Sequence, residues 1–295
     1  MKTLGIALLV LLAVTGCDVI EAPYIKNPTG SVDTLLKDTS TTMVRTGGVQ
    51  NVLLEDYTGH TCGNCPEAAD IATSIYEKNK PRVIVVAIHA GGFALPDMPD
   101  YPADYRTPVG DELDQTFMIS RAGNPNGLIN RVRYNNRFIL SQSNWDPATT
   151  AQLSKSPAVD LGLSHTYHSQ DSTFVVTVET AYRTPGESDY SLVVFLTENG
   201  IVGDQKDYRK NPSHIEEYEF EHVLRASFNG TWGDTLSTTA IPVGGVVKKT
   251  VRYRIPPGKN WNLANCEIVA FVIRRKDAAT RDVLQVVKQK VVVTP

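Results

Sequence analysis

Residues 52–66 read VLLEDYTGHTCGNCP, and the fold of this chain turns on them. Val52-Leu53-Leu54-Glu55-Asp56-Tyr57 is a short apolar run of the length of a buried strand. After a brief turn comes Cys62-Gly63-Asn64-Cys65, and then Pro66, which suits the first turn of a helix because its missing N–H has no partner to lose there. Residues 65–80 continue with helical spacing, with Ala68, Ala69, Ile71, Ala72, Ile75 and Tyr76 on one face. A Cys-X-X-Cys pair at a helix N-terminus has a specific chemistry. The free N–H groups and the positive end of the helix dipole favour a thiolate on the first sulfur, and the second, one turn inward, resolves a mixed disulfide. Cys62 is the predicted nucleophile and Cys65 the resolver.

Working outward, residues 82–89 (RVIVVAIH) form a continuous apolar run, as in a strand buried on both faces. A long loop over 91–108 follows, carrying Phe93, Tyr101 and Tyr105 and several prolines. Spacing predicts helices over 110–120 and 144–155, with a hairpin between them whose arms, 127–133 and 137–140, turn at Asn135-Asn136. The order is β-α-β-α-β-β-α. Beyond Pro157 the texture changes to strand-like runs at 159–168, 173–182, 190–198, 219–228, 246–255, 267–274 and 283–293, parted by Gly, Pro, Asn and Asp. These runs point to an antiparallel β-sandwich of immunoglobulin-like kind. A transmembrane barrel fits less well, because the alternate faces carry charges and the aromatics form no girdles.

The N-terminus reads as an export signal. Lys2 is the positive region, residues 4–14 are the apolar core, and Val14-Thr15-Gly16-Cys17 resembles a bacterial lipobox. Cleavage before Cys17 leaves a thiol to be diacylated, with chains such as palmitate, and more than one acyl chain gives stable anchoring. The expected domains are a signal peptide over 1–16, a lipidated flexible tether over 17–48, an α/β module over 49–155 and the β-sandwich over 156–295. Of 295 residues, four are cysteine. With Cys17 lipidated and an oxidising compartment, Cys62 and Cys65 can cycle or stay paired as a Cys62–Cys65 disulfide, and Cys266 is left as a buried free thiol. The formal net charge is -3 with the signs mixed, so no nucleic-acid partner is implied.

Residues 55–66 resemble the thioredoxin active-site strand and turn. That resemblance implies a buried acid six residues before the nucleophile, a place held by Asp56. It also implies a cis-proline facing the disulfide, a place held by Pro125 in Gly123-Asn124-Pro125-Asn126-Gly127. The chain departs from thioredoxins in having no Trp before Cys62 and no Pro between the cysteines, which leaves the redox potential open. The lipobox, residues 54–66, Gly127-Leu128-Ile129-Asn130-Arg131, His222-Val223-Leu224-Arg225 and Asn229-Gly230-Thr231-Trp232-Gly233 together resemble the Bacteroidota lipoproteins related to outer membrane protein 28. That resemblance implies outer-membrane attachment and leaves the activity open.

The site read from the sequence is therefore Cys62, Cys65, Asp56 and Pro125, with lipid on Cys17 and no metal or organic cofactor. A zinc site would need a second ligand pair, and His60 and His89 fit no ligand spacing. His165 and His168 are three apart on a strand and face opposite sides. The acids near Asp204 and Asp207 lack an EF-hand pattern. Two functions stand: thiol–disulfide exchange on exported proteins, or a non-catalytic adhesion or assembly lipoprotein in which the disulfide only braces the scaffold.

Overall fold

The computed structural model describes residues 38–275 and 281–293. The expected signal peptide, Cys17 and most of the tether lie outside them. In chain order the elements are β1 (Thr39–Ser40), β2 (Val44–Arg45), β3 (Val52–Thr58), α1 (Cys65–Asn79), β4 (Val83–His89), α2 (Pro108–Phe117), α3 (Ile119–Ala122), β5 (Asn126–Ile129) and α4 (Trp145–Leu153). There follow β6 (Val159–His168), β7 (Thr173–Tyr182), β8 (Tyr190–Glu198), β9 (Ile201–Lys206), β10 (His214–Phe220), β11 (Val223–Ser227), β12 (Asp234–Thr235), β13 (Val246–Arg254), β14 (Cys266–Arg274) and β15 (Val283–Lys290).

The unbroken apolar runs become interior strands. β3 and β4 pair in parallel, and β5 runs antiparallel on the far side of β3. Along β4, Val83 and Val85 face α1 and α4, where they meet Ala68, Ala72, Ile75 and Trp145. Ile84, Val86 and Ile88 face the other way, toward Val109, Leu113 and Phe117 of α2. α2 begins where Thr107 Oγ1 accepts the N–H of Gly110 at 3.0 Å, an N-cap that satisfies one orphan donor.

The sheet does not stop at β4. β11 lies parallel to it, with Val223 opposite Ala87, and β8, β14 and β15 extend the order to β15-β14-β8-β11-β4-β3-β5. This eight-stranded sheet draws strands from both sides of the boundary expected at 155/156, and the described residues fall in one compact unit, Leu36–Pro295. The β-rich half does pack two sheets face to face. β6, β7 and β13 lay Val159, Leu161, Leu163, Phe174, Val176, Val178 and Val251 against Leu192, Val194, Leu196, Ile268, Ala270 and Val272 of β8 and β14. One of those layers is the shared sheet, so the fold is mixed α/β with most of its regular structure in strands, rather than a free-standing sandwich behind a separate module. β8 explains why. All nine of its residues are buried, Leu192, Val194 and Leu196 toward the second sheet, Val193 and Phe195 toward α2.

Two further expectations change. The described end of the tether, from residue 38, is not loose: β1 and β2 pair with β6. The run expected over 219–228 is two strands, broken at Glu221-His222, where His222 has φ 59°. β10 belongs instead to a hairpin with β9 that stands outside both large sheets.

A buried ion pair pins the centre. Arg131 donates to both carboxylate oxygens of Glu55 at 2.8 and 2.7 Å, and both side chains are wholly buried. The guanidinium lies over the rings of Phe117 and Phe271, at 5.2 and 5.4 Å. Beside it, Asn130 Oδ1 accepts the N–H of Leu53 at 2.8 Å and its carbonyl accepts the N–H of Val283 at 2.9 Å, tying β3 to β15. Removing one ion of such a pair strands the other, at a cost of about 3–5 kcal/mol, whereas replacing both with apolar groups is close to neutral. Glu55→Ala should therefore lower the unfolding free energy in urea titrations by about that amount, and Glu55→Leu combined with Arg131→Met should restore most of it.

Candidate functional site

The C-terminal ends of β3 and β4 lie level, Thr58 opposite His89, and the chain leaves β3 into the turn that carries the cysteines. Cys62 N–H donates to the Gly59 carbonyl and Cys65 N–H to the Cys62 carbonyl, which folds the Cys62–Cys65 segment into the entry of α1. Cys62 and Cys65 are joined by a disulfide. On one flank the 91–108 loop packs against this turn: Thr61 donates through N and Oγ1 to the Phe93 carbonyl at 3.1 and 2.9 Å. Gly59 has no room for a side chain, since a Cβ there would sit 2.3 Å from the Phe93 oxygen.

Both cysteines are only 2 % exposed. The β9–β10 hairpin lies along the turn from the other flank. Lys206 N–H donates to the His60 carbonyl at 2.8 Å and Tyr208 N–H to the Gly63 carbonyl at 2.9 Å. Gln205 Nε2 donates to the Cys62 carbonyl at 3.2 Å. The Tyr208 ring rests directly on Gly63, where any Cβ would come within 2.6 Å of it. Arg209 bridges to Asp70 on α1 at 2.7 Å and to Asp207 in the hairpin at 2.8 Å.

Beneath the disulfide, Asp56 is 2 % exposed and its Oδ1 has no hydrogen-bond partner. Burial pushes its carboxyl up to about 7, because a low-dielectric site penalises the charged form. Asp56 and Cys65 line one small cavity of about 30 Å³, together with Thr58, His89, Gln205 and Tyr218. That volume holds a single water molecule. A second cavity of about 110 Å³ also touches Asp56 and runs past Thr73 and Tyr218 to Asp70, whose side chain is 66 % exposed. A buried acid thus sits between the inner cysteine and a path to solvent.

The Asn124–Pro125 peptide is cis. Asn126 pairs with Tyr57, so Pro125 falls level with Thr58 at the same end of the sheet as the cysteine turn. Burial among Tyr101 and Tyr105 lowers the proton affinity of His60, which disfavours a positive charge at this end of the turn. Cys266 is buried, with Sγ donating to the Asn262 carbonyl at 3.4 Å and its thiol pushed up to about 12 by burial. Among the described residues, no group of three or more His, Cys, Asp or Glu is arranged to hold a metal ion.

Two components of the site escaped the sequence. His89 ends β4, where it reads as the last residue of an apolar run. In the fold it shares the Asp56–Cys65 cavity, with both ring nitrogens buried and unpartnered and its proton affinity pushed down to about 3 by burial. The hairpin is the other. Its Asn211-Pro212 turn was a usable signal, but nothing local to residues 201–220 says that they reach the cysteines.

Comparison with known proteins completes the picture. A sequence profile described as outer membrane protein Omp28 matches residues 112–294, a span that begins in α2 and excludes Cys62 and Cys65. No curated protein sequence matches the chain. Among solved structures, HBP35 of Porphyromonas gingivalis is similar in fold, with a TM-score of 0.59, 14 % identity and coverage of 84 % of this chain and 81 % of that one. A protein from Agrobacterium tumefaciens gives a TM-score of 0.46 at 12 % identity, covering 83 % of this chain and 95 % of that one. A domain of the outer membrane lipoprotein Omp28 from Porphyromonas gingivalis gives 0.29 at 20 % identity, covering 46 % of this chain and 88 % of that one. With the profile spanning more than half of its length, the chain belongs to the Omp28 family of outer membrane proteins.

Proposed function

We propose that this protein is a lipoprotein held at the outer membrane by acyl chains on Cys17, and that its Cys62–Cys65 pair sits in a thioredoxin-like module that exchanges disulfides with exported proteins. The observation that carries the reading is the shared Asp56–Cys65 cavity. A disulfide that only braced a scaffold would have no use for an unpaired buried acid beneath it, since that acid costs stability.

The chemistry runs as follows for a client that is oxidised. A client thiolate attacks Cys62 Sγ, the Cys62–Cys65 bond breaks, and Cys65 leaves as a thiolate that takes the proton of Asp56. The client's second thiol then loses its proton and attacks the client sulfur of the mixed disulfide, and Cys62 leaves as a thiolate stabilised by the N-terminus of α1. The proton of the client's first thiol goes to solvent and that of its second returns to Asp56, so the protein gains two electrons and one proton, with Cys65 a thiol and Cys62 a thiolate, and the client departs with a disulfide. In reverse, the same steps reduce a client disulfide with electrons supplied by another exported dithiol protein. Pro125 borders the groove that the client occupies.

A second reading is favoured by a different observation, the burial of both cysteines under the hairpin. In it the disulfide is structural, and the protein serves adhesion or assembly. The two part on the redox properties of the pair. Exchange requires a reduction potential above roughly −300 mV and a Cys62 thiol that alkylates with a midpoint well below about 8.5 in the reduced protein. Cys65→Ala should trap clients as mixed disulfides on Cys62, visible as reductant-sensitive bands in non-reducing gels. A potential below that limit, with an ordinary Cys62 titration and no trapped bands, sinks the exchange reading.

Asp56 makes a separate prediction. Its carboxyl binds a proton up to about pH 7 when folded but only to about 3.8 when unfolded. The folded state therefore holds more protons across that window, and stability is lost as pH rises through it. Asp56→Asn should raise the unfolding free energy at pH 8 by on the order of 2–4 kcal/mol, with the gain shrinking toward pH 4. Urea titrations at the two pH values measure it, and the same variant should slow exchange. Cys17→Ser should abolish palmitate labelling and move the protein from the membrane pellet to the soluble envelope fraction.

A further inference from the structure

The hairpin over the cysteines differs from the rest of the fold in how it is attached. It pairs with neither large sheet. Its two ends are tied together and both turn through the left-handed region: Gly200 and His222 have positive φ, 68° and 59°, and Asn199 Oδ1 accepts the N–H of His222 at 2.8 Å. The intervening residues form a closed excursion between β8 and β11, whose own pairing is complete without them. Its hold on the cysteine turn itself is polar, while its base packs through rings, Phe220 against His89 and Tyr105, and His214 against Tyr101. On that turn it consists of two backbone N–H groups, one Gln side chain, the Tyr208 ring on Gly63 and one exposed Arg209–Asp70 bridge. Exposed bridges of that kind contribute little.

What those contacts satisfy is informative. The carbonyls of His60, Cys62 and Gly63 all point at the hairpin and all accept from it. They form a row of acceptors along the cysteine turn that an extended polypeptide fits, in the manner of strand addition. Gly63 adds a notch in which an aromatic ring lies flat, here that of Tyr208, whose outer face is in solvent at 63 % exposure.

We propose that the Ile201–Phe220 hairpin is an autoinhibitory cap that occupies the client groove as a built-in peptide. Cys62 becomes accessible only when the cap swings out about Gly200 and His222, and the client that replaces it is an extended polypeptide that offers backbone N–H groups to His60 and Gly63 and an aromatic side chain to the notch. This inference rests on the exchange reading for its purpose, but its physical content, gated access to the disulfide, stands or falls separately.

The test compares the full chain, in detergent, with its Tyr208→Ala/Arg209→Ala variant. The first readout is the rate at which dithiothreitol reduces Cys62–Cys65. The second is amide hydrogen exchange at Lys206 and Tyr208 relative to α1 and β4. The third is oxidation of reduced, unfolded ribonuclease as a generic client. Gating predicts that Lys206 and Tyr208 in the native chain exchange well before α1 and β4, and that the variant is reduced roughly tenfold faster or more, equivalent to about 1.4 kcal/mol of opening. α1 and β4 stay protected in the variant. Equal reduction rates, or acceleration accompanied by lost protection in α1, overturn the cap, as does a native hairpin that exchanges only with global unfolding. Faster reduction with no oxidation of ribonuclease by either protein leaves the cap standing and removes the exchange reading beneath it.

Discussion

A strand reading VIVVAIH cannot stand at the edge of a sheet in water, because its unpaired N–H and C=O groups and its apolar side chains would recruit another chain. The architecture is organised by the way that edge is closed. β3 covers one side of β4, and β11, arriving from far along the sequence, covers the other. Once β11 is in place, β8 and β14 pair beyond it, and the second sheet packs onto them. The same docking fixes where the chain just before β11 must lie. That chain is the β9–β10 hairpin, so closing the edge of β4 also delivers a cover to the cysteines at the end of β3.

The chemistry near those cysteines rests on two buried groups with opposite habits. Desolvation makes Asp56 hold its proton and makes His89 refuse one, so both are neutral near pH 6. Neither brings a net charge into the cavity they share with Cys65. Their contributions to stability slope in opposite directions, Asp56 losing it as pH rises from about 3.8 to about 7, and His89 losing it as pH falls from about 6.5 to about 3. In the exchange proposed above, charge enters the pocket only when a sulfur is released, which is when a proton donor is useful. Glu55, one residue before Asp56 on the opposite face of β3, is handled the other way: both its oxygens accept from the Arg131 guanidinium. Adjacent acids on one strand thus differ through their surroundings alone, one paired with a guanidinium and one left without a partner at Oδ1.

Much of this was legible in the residues. β3, the start of α1, β4 and the Asn135-Asn136 turn follow from local pattern: apolar runs, Pro66 after the second cysteine, and two residues tolerant of positive φ, here 48° and 62°. Asp56 and Pro125 were singled out only through the resemblance to thioredoxins, which places an acid six residues before Cys62 and a cis-proline ahead of the following strand. What was not legible is long-range. β8 and β4 carry the same kind of apolar run, and nothing in either says that β11 will join them into one sheet, so the α/β half and the β half looked separable. The hairpin was missed for the same reason. Its polar residues read as a loop, and its partners lie some 140 residues earlier in the chain. Residues 38–45 looked like linker because their strands are only two residues long and take their order from β6.

Cys266 has a consequence for how the chain matures. It opens β14, whose neighbours in the shared sheet are β8 and β15, and its thiol is sealed into the core with its ionisation suppressed. While the chain is unfolded the same thiol is exposed together with Cys62 and Cys65, and these three sulfurs alone allow three pairings. Cys62 and Cys65 are three residues apart, whereas Cys266 can reach either only by closing a loop of some 200 residues, which is entropically dearer. Short-range closure thus selects the correct bond first, and completion of the sheet then locks the odd sulfur away. The order in which parts of the chain become solid acts as its own proofreading.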